Sequence, residues 1–199
     1  KESVPDLKQT PEVLEFVKTW SGYGFWSVLI FLGFGTVLTL VLQSSSATMA
    51  ITLIMLSMGW IPFNMACAMV LGENIGTTIT ANIAAAVGNS SAKRAALAHT
   101  VFNLFGVIWA LATFPYFLKL IGLITETVFS IPNPASTDFQ VVVERAADGT
   151  PIQTDSQTSA LYGLSMLHTL FNTINTFILI WFIPVIEKIV CAVITESKN

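Results

Sequence analysis

Charge is what this sequence has least of. Only 11% of its 199 residues are Asp, Glu, Lys or Arg, against about 25% in ordinary soluble domains. The shortage is concentrated, because between residues 19 and 92 the one such side chain is Glu73. Roughly seventy residues with one formal charge exclude an ordinary water-soluble domain, and 53% hydrophobic residues with a mean hydropathy of +0.70 point the same way. Cysteine and histidine are scarce too. Cys67 and Cys191 stand alone and far apart, as do the two histidines, so neither a disulfide framework nor a Cys/His metal cluster is on offer. Both cysteines read as small core or lipid-embedded residues. With a net charge of −3 and no basic stripe interleaved with aromatics, nucleic acid is excluded as a partner. Residues 1–16 are charged and polar, without an apolar stretch of secretory length, and Lys1 rather than Met stands first, which reads as a piece of something longer.

What is present is a series of apolar runs cut by polar patches. Thr10, Pro11 and Glu12 form a helix-start signature, and Val13, Leu14, Phe16 and Val17 continue it as an apolar stripe, so an interfacial lead-in helix is expected over residues 1–22. Residues 25–42 are apolar, then come Gln43, Ser44, Ser45 and Ser46, then a second run of 12 residues ending at Met58. A turn over 57–62 leads to a third run, which stops at the stretch GENIGTT over residues 72–78, and a fourth ends at Val87. Twelve helical residues rise only about 18 Å, short of a hydrocarbon core of about 30 Å. Polar backbone at such depth is tolerated only against protein or a water-filled cavity. Two solutions fit, a continuous span that carries polar residues midway or half-helices meeting at a polar break, and QSSS and GENIGTT are candidates for such breaks. The expectation is an all-α integral membrane protein with a hairpin over 25–58 turning at QSSS and a helix over 61–88 broken at GENIGTT.

The rest of the chain reads as a span over 95–125, which Pro115 kinks or ends and where Lys119 lies near an interface. An extramembrane loop follows over 130–158, with a small hairpin over 139–154 around Asp148 and Gly149. A transmembrane helix over 159–195, interrupted by Pro184, closes the chain. Lys93 and Arg94 mark a cytoplasmic loop by the positive-inside tendency. One repeat is visible: H-T-x-F-N occurs twice, placing His99 with Asn103 and His168 with Asn172 at i and i+4 on one helical face. Two readings stand for these four residues, a structural hydrogen bond between helices and a proton-relay or substrate role.

The two polar patches carry the chemistry. Serines at the start of a half-helix add hydroxyl donors to free backbone N–H groups, and together these attract an anion such as phosphate. The amide carbonyl of Gln43 and the hydroxyls of Thr77 and Thr80, at i and i+3, are hard oxygen ligands suited to Na⁺ rather than a transition metal. Asn74 supplies an amide. Glu73, a carboxylate in an apolar region, must be protonated, paired or bound to a cation. The plain alternative is that these are helix-packing residues, since Ser, Thr and Gly are enriched at membrane interfaces. Two such patches within 35 residues, flanked by half-length runs, favour a binding site.

QSSSAT from Gln43, GENIGTTIT from Gly72 and RAALAHTVFN from Arg94, in that order, resemble the type II sodium-coupled inorganic phosphate cotransporter family, especially its bacterial members. The resemblance covers residues 1–103 and the second H-T-x-F-N copy, and it is closest to the second of the family's two inverted repeats. It implies one half of an inverted-repeat transporter, with QSSS at the tip of a re-entrant hairpin. By the same resemblance, sodium ligands fall on Gln43, Ser44, Thr77 and Thr80, with Glu73 added as the local carboxylate, and phosphate lies nearest Ser44, Ser45, Ser46 and Asn74. Glu73 is a departure, since animal members carry Ser there. The implied function is sodium-coupled symport of inorganic phosphate by alternating access in a multi-pass plasma membrane protein (the inner membrane if bacterial). No enzyme activity and no cofactor are implied beyond the coupling ion, and the partner repeat lies outside this chain. A passive anion channel, a non-transporting phosphate-sensing scaffold and a carrier of another oxyanion remain open alternatives.

Overall fold

The computed structural model describes residues 15, 17 and 19–195. Most of the lead-in helix expected over 1–22 lies outside the described residues. Helix α1 (Phe25–Leu42) stops where Gln43 takes the left-handed conformation, with φ of 53°, and Ser44 turns back to an extended backbone to start α2 (Ser45–Ser57). The two arms of this hairpin are unequal, because 18 helical residues rise about 27 Å and 13 only about 20 Å. Gly59, at φ 68°, and Pro62 then lead into α3 (Phe63–Ala85).

Helix α3 departs from the expected break. It runs through GENIGTT as 23 continuous helical residues, because the residues that looked suited to unwinding are used for close packing. A Cβ on Gly72 would collide with the carbonyl oxygen of Leu32, and one on Gly76 would lie 2.6 Å from Thr39 Cβ. Both glycines therefore let α3 press against the backbone of α1, the packing that small residues four apart permit between membrane helices. The threonine hydroxyls return to their own helix: Thr77 donates to Glu73 O at 2.8 Å, Thr78 to Ile75 O at 2.8 Å and Thr80 to Thr77 O at 2.8 Å. No backbone group is left for an unwound segment to satisfy. The first half of α3 is apolar all round and correspondingly buried from Met65 to Leu71.

The expected span over 95–125 is two helices. Helix α4 (Ser90–Ala112), capped by the Asn89 side chain on Ala92 N at 2.9 Å, is long enough to cross a membrane. It ends at Thr113, and α5 (Phe114–Val128) starts with Pro115 in its first turn, where the missing N–H costs nothing. Lys119 lies exposed on α5. Beyond it the loop carries a hairpin shorter than expected, with β1 (Glu144–Arg145) antiparallel to β2 (Pro151–Ile152). Phe139 and Val141 pack instead against the hydrophobic core near the turn between α2 and α3. Gln157 Nε2 donates to Ser57 O at 2.9 Å, and Ser159 Oγ to Pro132 O, so the loop ties the base of the hairpin to the C-terminal helix.

That helix, α6 (Asp155–Leu179), begins four residues before the expected start because Thr154 and Gln157 form a reciprocal capping box. It continues through a 3-10 turn at Ile180–Phe182 into α7 (Ile183–Val193), whose first turn holds Pro184. Helices α1 and α4 and the run Asp155–Val193 are each long and apolar enough to cross a membrane. Helix α6 is fastened to α4 by Asn175, which is fully buried: its Nδ2 donates to Phe102 O at 3.0 Å and its Oδ1 accepts from Trp109 Nε1 at 3.2 Å. Asn175→Leu leaves Trp109 Nε1 without its acceptor and removes the tie to Phe102 O, so a loss of about 1–3 kcal/mol is expected, read as a lower unfolding midpoint in detergent.

Candidate functional site at the hairpin tip

Three helices converge on the tip. Helix α1 lies beside α3 in register, with Leu32 and Thr36 against Gly72 and with Thr36 and Thr39 against Gly76. Thr36 Oγ1 donates across this contact to Gly72 O at 3.0 Å. Helix α2 meets α1 through Thr39 and Thr48, whose hydroxyls are 3.1 Å apart, and meets α3 where Thr52 Oγ1 lies 3.0 Å from Glu73 Oε1. Continued by one turn, the same registers bring Gln43 level with Thr80 and Thr48 level with Thr77, which leaves Thr77 one turn below the start of α2.

At the tip, Ser44 Oγ accepts from Ala47 N at 3.2 Å, and Ser44 O accepts the first helical bond, from Thr48 N at 3.1 Å. The N–H groups of Ser45 and Ser46, in the first turn of α2, therefore have no carbonyl partner within the helix. Gln43 and Ser46 are exposed, and Ser44 and Ser45 half-buried. The tip thus offers donors and the positive end of a helix dipole, the electrostatics that favour an anion. On the α3 side the polarity is reversed. Thr77 and Thr80 spend their hydroxyl protons on their own helix, so what remains on each oxygen is a lone pair, which suits a cation. Asn74 Nδ2 donates to Val70 O at 2.9 Å, which leaves its carbonyl oxygen as a further acceptor.

Glu73 is buried and has a polar partner. It is only 3% exposed and its carboxyl reaches Thr52, two turns along α2 from the tip. The two H-T-x-F-N copies are not joined to each other by a hydrogen bond among the described residues. Asn103 is buried on α4, while His99 borders a cleft of about 610 Å³ between α4 and α7 with Phe102, Ile186 and Glu187. His168 is exposed on α6, and Asn172 donates to its carbonyl at 2.8 Å. The bond between helices expected of these residues is made by Asn175, one turn further along. Thr39, Thr48 and Thr52 were missed as well, although threonines four apart in an otherwise apolar helix are a signal for a polar seam. No group of three His, Cys, Asp or Glu side chains suited to a metal occurs among the described residues.

Residues 23–130 match the family model described as Na+/Pi-cotransporter. The chain is 39% identical over 110 residues to "Uncharacterized protein YqeW" of Bacillus subtilis (strain 168), covering 55% of this chain and 33% of that protein. It is 40% identical over 131 residues to sodium-dependent phosphate transport protein 2C of Homo sapiens, covering 63% of this chain and 19% of that one. It is 35% identical over 94 residues to sodium-dependent phosphate transport protein 2A of Ovis aries, covering 45% and 14%. The alignments span a third or less of the length of these curated relatives. No solved structure matches.

Proposed function

We propose that this chain, which belongs to the Na+/Pi-cotransporter family, forms one half of a transporter that carries inorganic phosphate on the sodium gradient by alternating access. The observation that supports this best is the polarity of the tip. Donors and a helix N-terminus stand on α2 at Ser44 to Ser46, and hydroxyl lone pairs stand on α3 at Thr80, in register with Gln43, and at Thr77 one turn below.

In this reading Na⁺ is held by the oxygens of Gln43, Ser44, Thr77 and Thr80, and phosphate by the hydroxyls and N–H groups of Ser45 and Ser46, with Ser44 and Asn74 beside them. The two charges then sit within a few ångströms of each other. At an effective dielectric of about 20, opposite unit charges 4 Å apart attract by about 4 kcal/mol. A bound sodium ion therefore raises phosphate affinity directly, and reciprocity makes phosphate raise sodium affinity by the same factor. No covalent step is required. The remaining ligands come from the partner repeat, the two repeats lie in a multi-pass plasma membrane protein, and QSSS is the tip of a re-entrant hairpin. Relatives named as sodium-dependent phosphate transport proteins support the choice of ion and substrate.

The test is uptake of ³²P-phosphate into proteoliposomes that hold this chain together with its partner repeat, with and without an inward sodium gradient. Accumulation that requires the gradient is expected. Flux that ignores sodium would identify a passive anion channel, and equilibrium binding without flux would identify a sensor.

A further inference from the structure

We propose that Glu73 is a positioning residue: it holds α2 against α3 and so sets the height at which the serine tip meets Thr77 and Thr80. The proposal rests on the reading above of the tip as the sodium and phosphate site. Glu73 is buried, and helices α1 and α2 carry no ionisable side chain to pair with it. Its partner is Thr52, whose one hydroxyl proton goes either to Glu73 Oε1 or to Thr48 O, and from Thr52 a series of close polar contacts climbs α2 to the tip. Thr52 Oγ1 lies 2.9 Å from Thr48 O, and Thr48 Oγ1 lies 3.1 Å from both Ser44 O and Thr39 Oγ1. Ser44 is the residue that caps α2. One side chain of α3 is thereby linked, a turn at a time, to the cap of the opposing helix.

The packing of α2 explains why this link matters. Its buried positions are Thr48, Thr52 and Leu56, so two of the three side chains on its inner face belong to this series. Met49, Leu53, Met55 and Leu56 pack α2 on the hydrophobic core without a directional bond to fix its height, and the polar contact from Thr52 to Glu73 is the one that ties it to α3. Thr52 lies seven residues beyond Ser45, about 10 Å along the helix, whereas a bond from a hard cation to oxygen is about 2.4 Å. From there the carboxyl lies about two turns from the serine tip and one turn from Thr77, and steadies both by holding α2 against α3.

Three variants of this chain, each reconstituted in proteoliposomes with the partner repeat, separate positioning from ligation. Glu73→Gln keeps an oxygen acceptor for Thr52 and is expected to leave sodium half-saturation and phosphate KM within about twofold. Glu73→Ala and Thr52→Val each remove the link and are expected to raise both constants by roughly five- to tenfold, the worth of one hydrogen bond, with little change in kcat. The double variant Glu73→Ala/Thr52→Val is expected to be no worse than either alone, because both remove the same contact. Loss of sodium activation in Glu73→Gln, with Thr52→Val unaffected, would make Glu73 an ion ligand and overturn the proposal.

A second measurement is independent of transport. Spin labels at Ala47, exposed at the tip, and Ile83, exposed on α3, report the separation of the two elements in a Cys191→Ser background. Glu73→Ala and Thr52→Val are expected to shift or broaden that distance, and Glu73→Gln to preserve it. Unchanged distances in both would overturn positioning even if sodium-driven uptake holds, and absent uptake would overturn the transport reading while the distances still decide this one.

Discussion

Gly72→Ala is expected to destabilise the protein by at least the upper end of the ~1–3 kcal/mol that overpacking of a close-packed core costs. The added methyl meets backbone on the facing helix, at Leu32 O and then at Thr36 N, 3.0 Å away. A flexible side chain would move aside at little cost, but here α1 must shift as a unit, together with Thr36 Oγ1 and its bond to Gly72 O. The matched control is Gly33→Ala on α1, where nothing lies within 4 Å of the new methyl. Replacing glycine by alanine within a helix contributes about 0.5–1 kcal/mol of stability, so this variant is expected to unfold at or slightly above the wild-type temperature. Unfolding midpoints followed by size-exclusion fluorescence in detergent check both. A Gly72→Ala protein as stable as Gly33→Ala would mean that α1 and α3 are not in backbone contact at this level.

The same glycines show where sequence reading reaches its limit. At QSSS a continuous helix with polar residues midway and a break between half-helices are both open, and Gln43 and Ser44 take the break, with a left-handed residue and a serine cap. Gly72 and Gly76 had two solutions. Glycine allows a helix to unwind and equally allows two helices to touch, and the local sequence GENIG is common to both. The arbiter was on another helix, since only the position of Leu32, Thr36 and Thr39 decides that the spacing is a contact surface. Pro115 was legible as a boundary, but whether it kinks or ends a helix depended on Thr113 and on the inward face formed by Phe114, Phe117 and Ile121. Asn175 was hidden for a related reason. Helices that are apolar on every side give no pattern to show which asparagine faces a neighbour, and the H-T-x-F-N repeat drew notice to Asn172, one turn short of the residue that bonds across.

Phosphate affinity is expected to collapse when the two first-turn serines of α2 lose their hydroxyls. Hydrogen bonds to a charged group contribute about 1.5–3 kcal/mol each, and tenfold in affinity is about 1.4 kcal/mol. The double variant Ser45→Ala/Ser46→Ala should therefore raise phosphate KM by about a hundredfold or more. Its backbone N–H groups and the Ser44 cap remain, so the fold and the dipole are kept and the loss measures the hydroxyls alone. Gln43→Ala should behave differently, raising sodium half-saturation first and phosphate KM only through the coupling between the two ions. Ser57→Ala is the control at the opposite end of the same helix, where the hydroxyl donates to Ile54 O at 3.0 Å, and it should leave both constants alone. Initial rates of ³²P-phosphate uptake across a grid of sodium and phosphate concentrations separate the three. If the double serine variant keeps its phosphate KM, the anion is not held at the tip, and the donors on α2 serve only to start the helix.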